Sequence, residues 1–243
     1  MDLFHKFLFF AVPVTFIELL AALVGIYYLR NHTKTKKLNK YFVIFLWYTF
    51  FNELIAAYAP IAYFSDYNYF GFVKDTIFEK NIWLYNIYYI VNFSFLIYYF
   101  NNYLPKKSFK KAANYLVIFY IISSIVFLNF TDVFYKSYSN YSLAVGVLLL
   151  LASILKFYLR LLKTDKIIDL KKYLPIYLSI GLLVLYLCVT PLDVFSKYFK
   201  TVNEVYVNIR INVLLIANIF MYSTFIIGFF VCAKKDAKGE VVN

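Results

Sequence analysis

The sequence predicts an all-α integral membrane protein, and three observations carry that prediction. Of the 243 residues, 63% are hydrophobic and 16% charged, and the mean hydropathy is +0.68; a soluble domain of this size has too little interior to hide so much apolar surface. The apolar residues gather in seven stretches, each near the roughly 20 residues needed to cross about 30 Å of hydrocarbon. Lys and Arg are absent from six of the seven, and in the fifth they occur only toward its basic end, at Lys156 and Arg160. Helices are expected rather than a barrel, because backbone groups in lipid must be satisfied within their own segment and the short alternating segments of barrel strands are missing.

The first stretch, residues 7–29, follows MDLFHK. An acid, little positive charge and no small-residue cleavage site read as a retained helix rather than a cleaved signal. The second, 41–64, carries Glu53 and ends near Pro60, and the third, 82–100, is rich in Tyr and Asn. The fourth, 113–130, is the shortest; the fifth covers 141–162, the sixth 173–192 with Pro191 near its end, and the seventh 211–232. Connections are too short for a soluble domain, so residues 1–232 form one transmembrane domain. The longest, 65–81 and 193–210, each have room for a short interfacial helix, and the polar tail 233–243 is expected to be disordered and cytoplasmic.

Charge sets the expected orientation. Of 25 basic residues, 18 fall on one set of alternate connections, including Arg30, Lys34, Lys36, Lys37, Lys40, Lys106, Lys107, Lys110, Lys111 and the run from Lys156 to Lys172. The positive-inside rule then puts the N-terminus outside and the C-terminus inside. The net charge of +12 is thereby a mark of topology and of contact with anionic headgroups rather than a nucleic-acid surface. Phe, Tyr, Ile, Asn and Lys are encoded by AT-rich codons, and their abundance fits the cytoplasmic (inner) membrane of an AT-rich bacterium. Cys188 and Cys232 lie at different depths of different helices, too far apart to bridge.

Two parts of the chain echo each other in order. Tyr28, Leu29 and Arg30 match Tyr158, Leu159 and Arg160; Lys40, Tyr41, Ile44 and Leu46 match Lys172, Tyr173, Ile176 and Leu178; Pro60, Phe64, Ser65 and Tyr67 match Pro191, Phe195, Ser196 and Tyr198; and Asn86 and Asn92 match Asn212 and Asn218. The offset stays between 126 and 132 residues, as a duplication would and chance coincidence would not. Residues 7–100 and 141–232 are therefore expected to be parallel repeats of three helices, with the helix at 113–130 as the inverting linker, a transporter design.

This 3+1+3 plan with its N-terminus outside resembles the SWEET sugar transporters and the wider PQ-loop group, including the KDEL receptors. The resemblance implies that an asparagine on the third helix and its mate on the seventh face the solute, here Asn92 and Asn218. The chain departs from the group in having no Pro-Gln dipeptide and no proline in the fifth helix. It is similar as well to uncharacterised seven-span proteins of AT-rich bacteria.

Polar residues inside the apolar runs are the candidates for chemistry. Glu18 and Glu53 stand where an ionisable group costs several kcal/mol and so by default faces the bundle interior. Low-dielectric surroundings favour the neutral acid, which makes a carboxyl there a candidate proton carrier; hydrogen bonding to a neighbouring Tyr or Asn is the structural alternative. Asn52 adds an amide at similar depth. Asn92 shares a helical face with Tyr85, Tyr88, Tyr89 and Tyr99, and Asn218 one with Tyr222, a surface that would hydrogen-bond a hydroxylated solute and stack on its apolar side; interhelical glue is the plainer alternative. Asn86 points elsewhere and is expected to be structural. Pro60 and Pro191 free a backbone carbonyl each and are hinge candidates, and Asp193 with Arg210 forms a candidate outer gate.

The only histidines, His5 and His32, lie outside the spans, which argues against a haem or zinc site between helices; no cofactor or metal is expected. No spacing places a nucleophile beside a base, so an enzyme is not the expectation, with a lipid-modifying activity the third choice. The leading expectation is a small-solute carrier working by alternating access, proton-coupled through Glu18 or Glu53, with Asn92, Asn218, Tyr88 and Tyr222 at the solute. The runner-up is a seven-helix sensor that binds a ligand in its outer half and signals through a membrane-protein partner; a homo-oligomer fits either.

Overall fold

A computed structural model describes residues 3–31, 37–104, 107–163, 173–195 and 204–233, and among these residues there are helices and no strand. The long helices are α1 (Leu3–Asn31), α2 (Lys37–Ala56), α4 (Ile82–Asn101), α5 (Lys107–Phe130), α7 (Asn140–Leu161), α8 (Leu174–Phe195) and α9 (Glu204–Ala233), with short α3 (Tyr58–Phe64) and α6 (Val133–Lys136) between them. Six helical segments are long and apolar enough to cross a membrane: Phe7–Asn31, Lys37–Phe64, Lys110–Phe130, Asn140–Leu161, Leu174–Asp193 and Val205–Ala233. The chain is thus a multi-pass membrane protein. The second lysine-rich turn up to Lys172, Ser196 and Tyr198 of the echo, His32 and the tail from residue 234 lie outside the described residues.

The helix surfaces are patterned for lipid. On α5 the buried positions are Ala113, Val117, Tyr120, Ser124 and Leu128, whereas Leu116, Phe119, Ile122 and Val126 are exposed. In a soluble helix the exposed stripe would be polar. Here it is as apolar as the buried one, and it matches a hydrocarbon solvent.

Helices α1, α2, α4, α7, α8 and α9 close a ring in that order, α9 returning to α1, while α5 lies outside against α4 and α7. The interior of the ring is packed with aromatic rings. Phe42 meets Tyr99, Phe225 and Phe229, and Phe157 meets Phe100 and Tyr103.

α4 is not among the six apolar segments, and the reason is its place in the ring. Interior neighbours rather than lipid surround most of it, so its Tyr and Asn residues find protein partners. It runs antiparallel to α2 and is bonded to it at both ends. At the end that holds the 65–81 loop, Tyr85 donates to Glu53 Oε2 at 2.8 Å. At the basic end, Asn39 Oδ1 accepts from Tyr99 at 3.1 Å and from Tyr103 at 3.4 Å, and Asn39 Nδ2 donates to Tyr28 on α1 at 2.9 Å.

The second expected span is interrupted. Pro60 has no N–H to offer the Ala56 carbonyl one turn back, so the helix breaks at Ala57 between α2 and α3. Asn81 Nδ2 takes over that carbonyl at 2.8 Å. The 65–81 connection holds one 3₁₀ turn, Gly71–Val73, and places Tyr69 and Phe72 outward, 69% and 80% exposed, as interfacial side chains are. Asn86 is structural: its Nδ2 donates to Phe134 O at 3.0 Å and Ser137 O at 3.1 Å, and its Oδ1 accepts from Ser139 N at 2.8 Å, fastening α6 to α4.

α8 and α9 approach closely because each presents a glycine to the other. A Cβ on Gly181 would come within 3.0 Å of the Met221 carbonyl oxygen and into the Thr224 side chain, and one on Gly228 within 2.6 Å of Tyr177 Cβ. Small residues at such crossings substitute for the hydrophobic drive that lipid removes. Gly181→Val is expected to lose about 1–3 kcal/mol of stability through overpacking, read as earlier thermal unfolding of the detergent-purified protein. Gly71→Ala, where nothing lies within 4 Å, should be neutral, and equal behaviour of the two would refute the close-packed crossing.

Candidate functional site

The ring encloses a cavity of about 200 Å³, with walls from all six of its helices. α1 contributes Glu18, α2 Thr49 and Glu53, α4 Tyr85, Tyr88, Tyr89 and Asn92, α8 Tyr186, Thr190 and Asp193, and α9 Asn218 and Tyr222. Five of the helices point a polar residue here and α7 contributes Leu143; on the lipid side an unpaired polar group would cost several kcal/mol.

The polar groups are paired across helices. Glu18 is 4% exposed, and its Oε1 accepts from the Tyr222 hydroxyl at 2.8 Å, joining α1 to α9. Glu53 is held by Tyr85, as above. Asn92 Nδ2 donates to the Tyr186 hydroxyl at 2.7 Å, joining α4 to α8, while Tyr88 donates to Thr49 Oγ1 at 3.5 Å. Asn218 Nδ2 turns back to the Leu214 carbonyl of its own helix at 2.8 Å. Among the described residues two buried wall atoms have no partner: Glu18 Oε2 and Thr190 Oγ1.

The two ends of the cavity differ. Toward the 65–81 loop, Arg210 of α9 donates from Nε at 3.0 Å and from Nη2 at 2.7 Å to Asp193 Oδ1 of α8. Pro191 sits two residues before this pair, and Tyr206 donates to the Leu192 carbonyl beside it. Toward the basic end, Phe42 and Phe225 form the floor, and beneath them Phe229 and Tyr28 pack against each other above the buried Asn39 cluster.

Glu18, Glu53, Asn92, Asn218, Tyr88, Tyr222 and Asp193, picked out from the sequence on separate grounds, all line this one cavity. Asn52 does not: it is buried with Nδ2 unpartnered, outside the cavity wall. Pro60 lies in α3, three residues past the break at Ala57 and away from the wall. The echoed pair Asn86 and Asn212 have unlike surroundings, Asn86 fully buried and Asn212 exposed. Tyr186, Thr49 and Thr190 were not anticipated. Tyr186 stands four residues before Thr190, and both continue the α8 face that leads to Asp193, which is the helical spacing by which they could have been found. Among the described residues no group of three His, Cys, Asp or Glu side chains is placed to hold a metal ion.

No protein family, curated protein or solved structure matches this chain.

The Glu18 to Tyr222 bond makes a specific prediction. Tyr222→Phe leaves a buried carboxyl with one partner fewer and should cost about 1–3 kcal/mol, whereas adding Glu18→Leu removes the stranded group and should recover most of that loss. Unfolding of the three variants in detergent measures this as a double-mutant cycle. Additive losses would contradict a direct bond.

Proposed function

We propose that this membrane protein is a small-solute carrier, with the central cavity as its binding site. The observation that carries the reading is the cavity itself: a largely apolar chamber with carboxyl, amide and phenol groups in its wall, in the middle of a closed helix ring, bounded at one end by an ion pair between α8 and α9 and at the other by packed aromatic rings. Such a chamber between two closures is what alternating access requires.

In this reading α4 is a seventh crossing. Its 20 residues extend about 30 Å at 1.5 Å per residue, the thickness of the hydrocarbon, and its bonds to α2 at both ends support the same depth. The basic ends of α1, α2 and α5 then face the cytoplasm of a bacterium and the 65–81 loop faces outward. The ring order also suits a parallel repeat: α1, α2 and α4 fill one half and α7, α8 and α9 the other, with α1 against α9 and α4 against α7 as equivalent seams. Opening at Asp193–Arg210, with movement about Pro191 and the break beside Pro60, exposes the cavity outward. Parting the seams at the basic end exposes it inward. Glu18 and Glu53 are the groups that would carry protons if transport is proton-coupled.

One observation favours the second reading, a membrane sensor that binds its ligand in the outer half. The basic half of the ring is tightly filled, with Phe42, Phe225, Phe229 and Tyr99 all at most 2% exposed, as suits a ligand that enters and leaves by the same side.

Uptake into proteoliposomes loaded from a panel of sugars, amino acids, nucleosides and amines tests the carrier. Flux is expected for at least one solute, and Asn92→Ala should reduce it about tenfold, the effect of roughly one buried hydrogen bond. Ligand binding with no flux in either direction would reject the carrier and favour the sensor.

A further inference from the structure

We infer that the central cavity selects a small organic ammonium ion, held between the Glu18 and Glu53 carboxyls and a wall of tyrosine rings. The inference rests on the reading of this cavity as a solute site and names the class of solute.

The sign of the wall comes first. Three carboxyls, Glu18, Glu53 and Asp193, line the cavity, and no Lys or Arg is among the lining residues. Arg210, just beyond the wall, places both bonds on Asp193, which leaves Glu18 and Glu53 without a cation among the described residues. The two lie within electrostatic reach of each other across the cavity. Glu18 Oε2 and Thr190 Oγ1 are buried wall atoms with no partner among the described residues, and an ionised carboxylate oxygen can only accept. A bound cation or N–H donor completes the first, and a hydroxyl the second. An anion would meet repulsion at every turn.

The walls between the acids are aromatic. Tyr85, Tyr88, Tyr89, Tyr186 and Tyr222 line the cavity, and four of the hydroxyls are engaged: Tyr85 with Glu53, Tyr88 with Thr49, Tyr186 with Asn92 and Tyr222 with Glu18. With Tyr85, Tyr88 and Tyr222 already donating to protein acceptors, what these three side chains offer a ligand is their ring faces. A ring face attracts a cation through its quadrupole, and clustered rings are the usual device for alkylated ammonium groups. A sugar is a poorer fit than the asparagine pattern alone suggests, because one amide N–H of Asn92 and one of Asn218 are already committed to Tyr186 and to the Leu214 carbonyl. The volume, about 200 Å³, is below that of an ordinary drug-sized pocket and limits the ligand to a few heavy atoms, of the order of tetramethylammonium or choline.

The test compares charge at constant shape. Full-length protein in detergent is titrated calorimetrically with choline, with 3,3-dimethylbutan-1-ol, its uncharged isostere, and with sodium chloride alone. Choline should bind about tenfold or more tightly than the alcohol, the increment of a desolvated cation–π and carboxylate contact, and sodium should give no comparable heat. Glu18→Gln, and independently Glu53→Gln, should each weaken choline about tenfold while leaving the weak alcohol binding alone; the wild-type comparison stands even if a variant fails to fold. Equal binding of choline and the alcohol, binding of neither, or a sodium response matching choline overturns the inference. Choline binding without flux refutes the carrier and keeps the ammonium site, whereas flux of another solute without choline binding keeps the carrier and overturns the ammonium site.

Discussion

A carboxyl in hydrocarbon must find its partner within the protein, and Glu18 finds it 204 residues away in Tyr222. That bond brings the last helix back to the side of the first. That requirement closes the ring of α1, α2, α4, α7, α8 and α9, and the closed ring creates an interior that is neither lipid nor bulk water. Several other polar residues in the spans follow the same rule. Glu53 is met by Tyr85, Asn92 by Tyr186 and Asn39 by three tyrosines.

The abundance of tyrosine acquires a physical role in this setting. A phenol supplies one strong donor on a large apolar body, so it can satisfy a buried acceptor without bringing a charge or much additional polar surface with it. A lysine or arginine would neutralise Glu18 more strongly, yet would cost more to bury and would fill the cavity. Arg210 occurs only at the cavity's loop end, where its side chain is 38% exposed and hydration remains within reach. The charge distribution along the axis, acids within and cations at the ends, therefore follows from what each depth can solvate.

Much of this was legible in the sequence. Hydropathy alone identifies the helices that face lipid, because lipid makes the same demand of each. It understates α4, whose Tyr85, Asn86, Tyr88, Tyr89 and Asn92 lower its hydropathy for the same reason that it sits inside. The acids and asparagines of the cavity could be found because a polar residue in an apolar run has only the interior to face. Their partners could not, since with 26 tyrosines no pattern singles out Tyr222 or Tyr186, and pairing across 94 or 204 positions leaves no local trace. Asn39 was hidden differently, in a stretch that reads as part of a basic turn. The break at Ala57 depends on Pro60 together with Asn81, and only the proline announces itself.

The central claim is that the cavity communicates with both faces of the membrane, and side-specific labelling tests it most directly. Asn92→Cys, in protein whose Cys188 and Cys232 have been replaced by alanine, is exposed in oriented vesicles to a membrane-impermeant thiol reagent applied to one face at a time. The account predicts modification from either face, faster from the 65–81 loop side, where the closure is a single ion pair. Modification from that side alone, under every condition that keeps the protein folded, would contradict it.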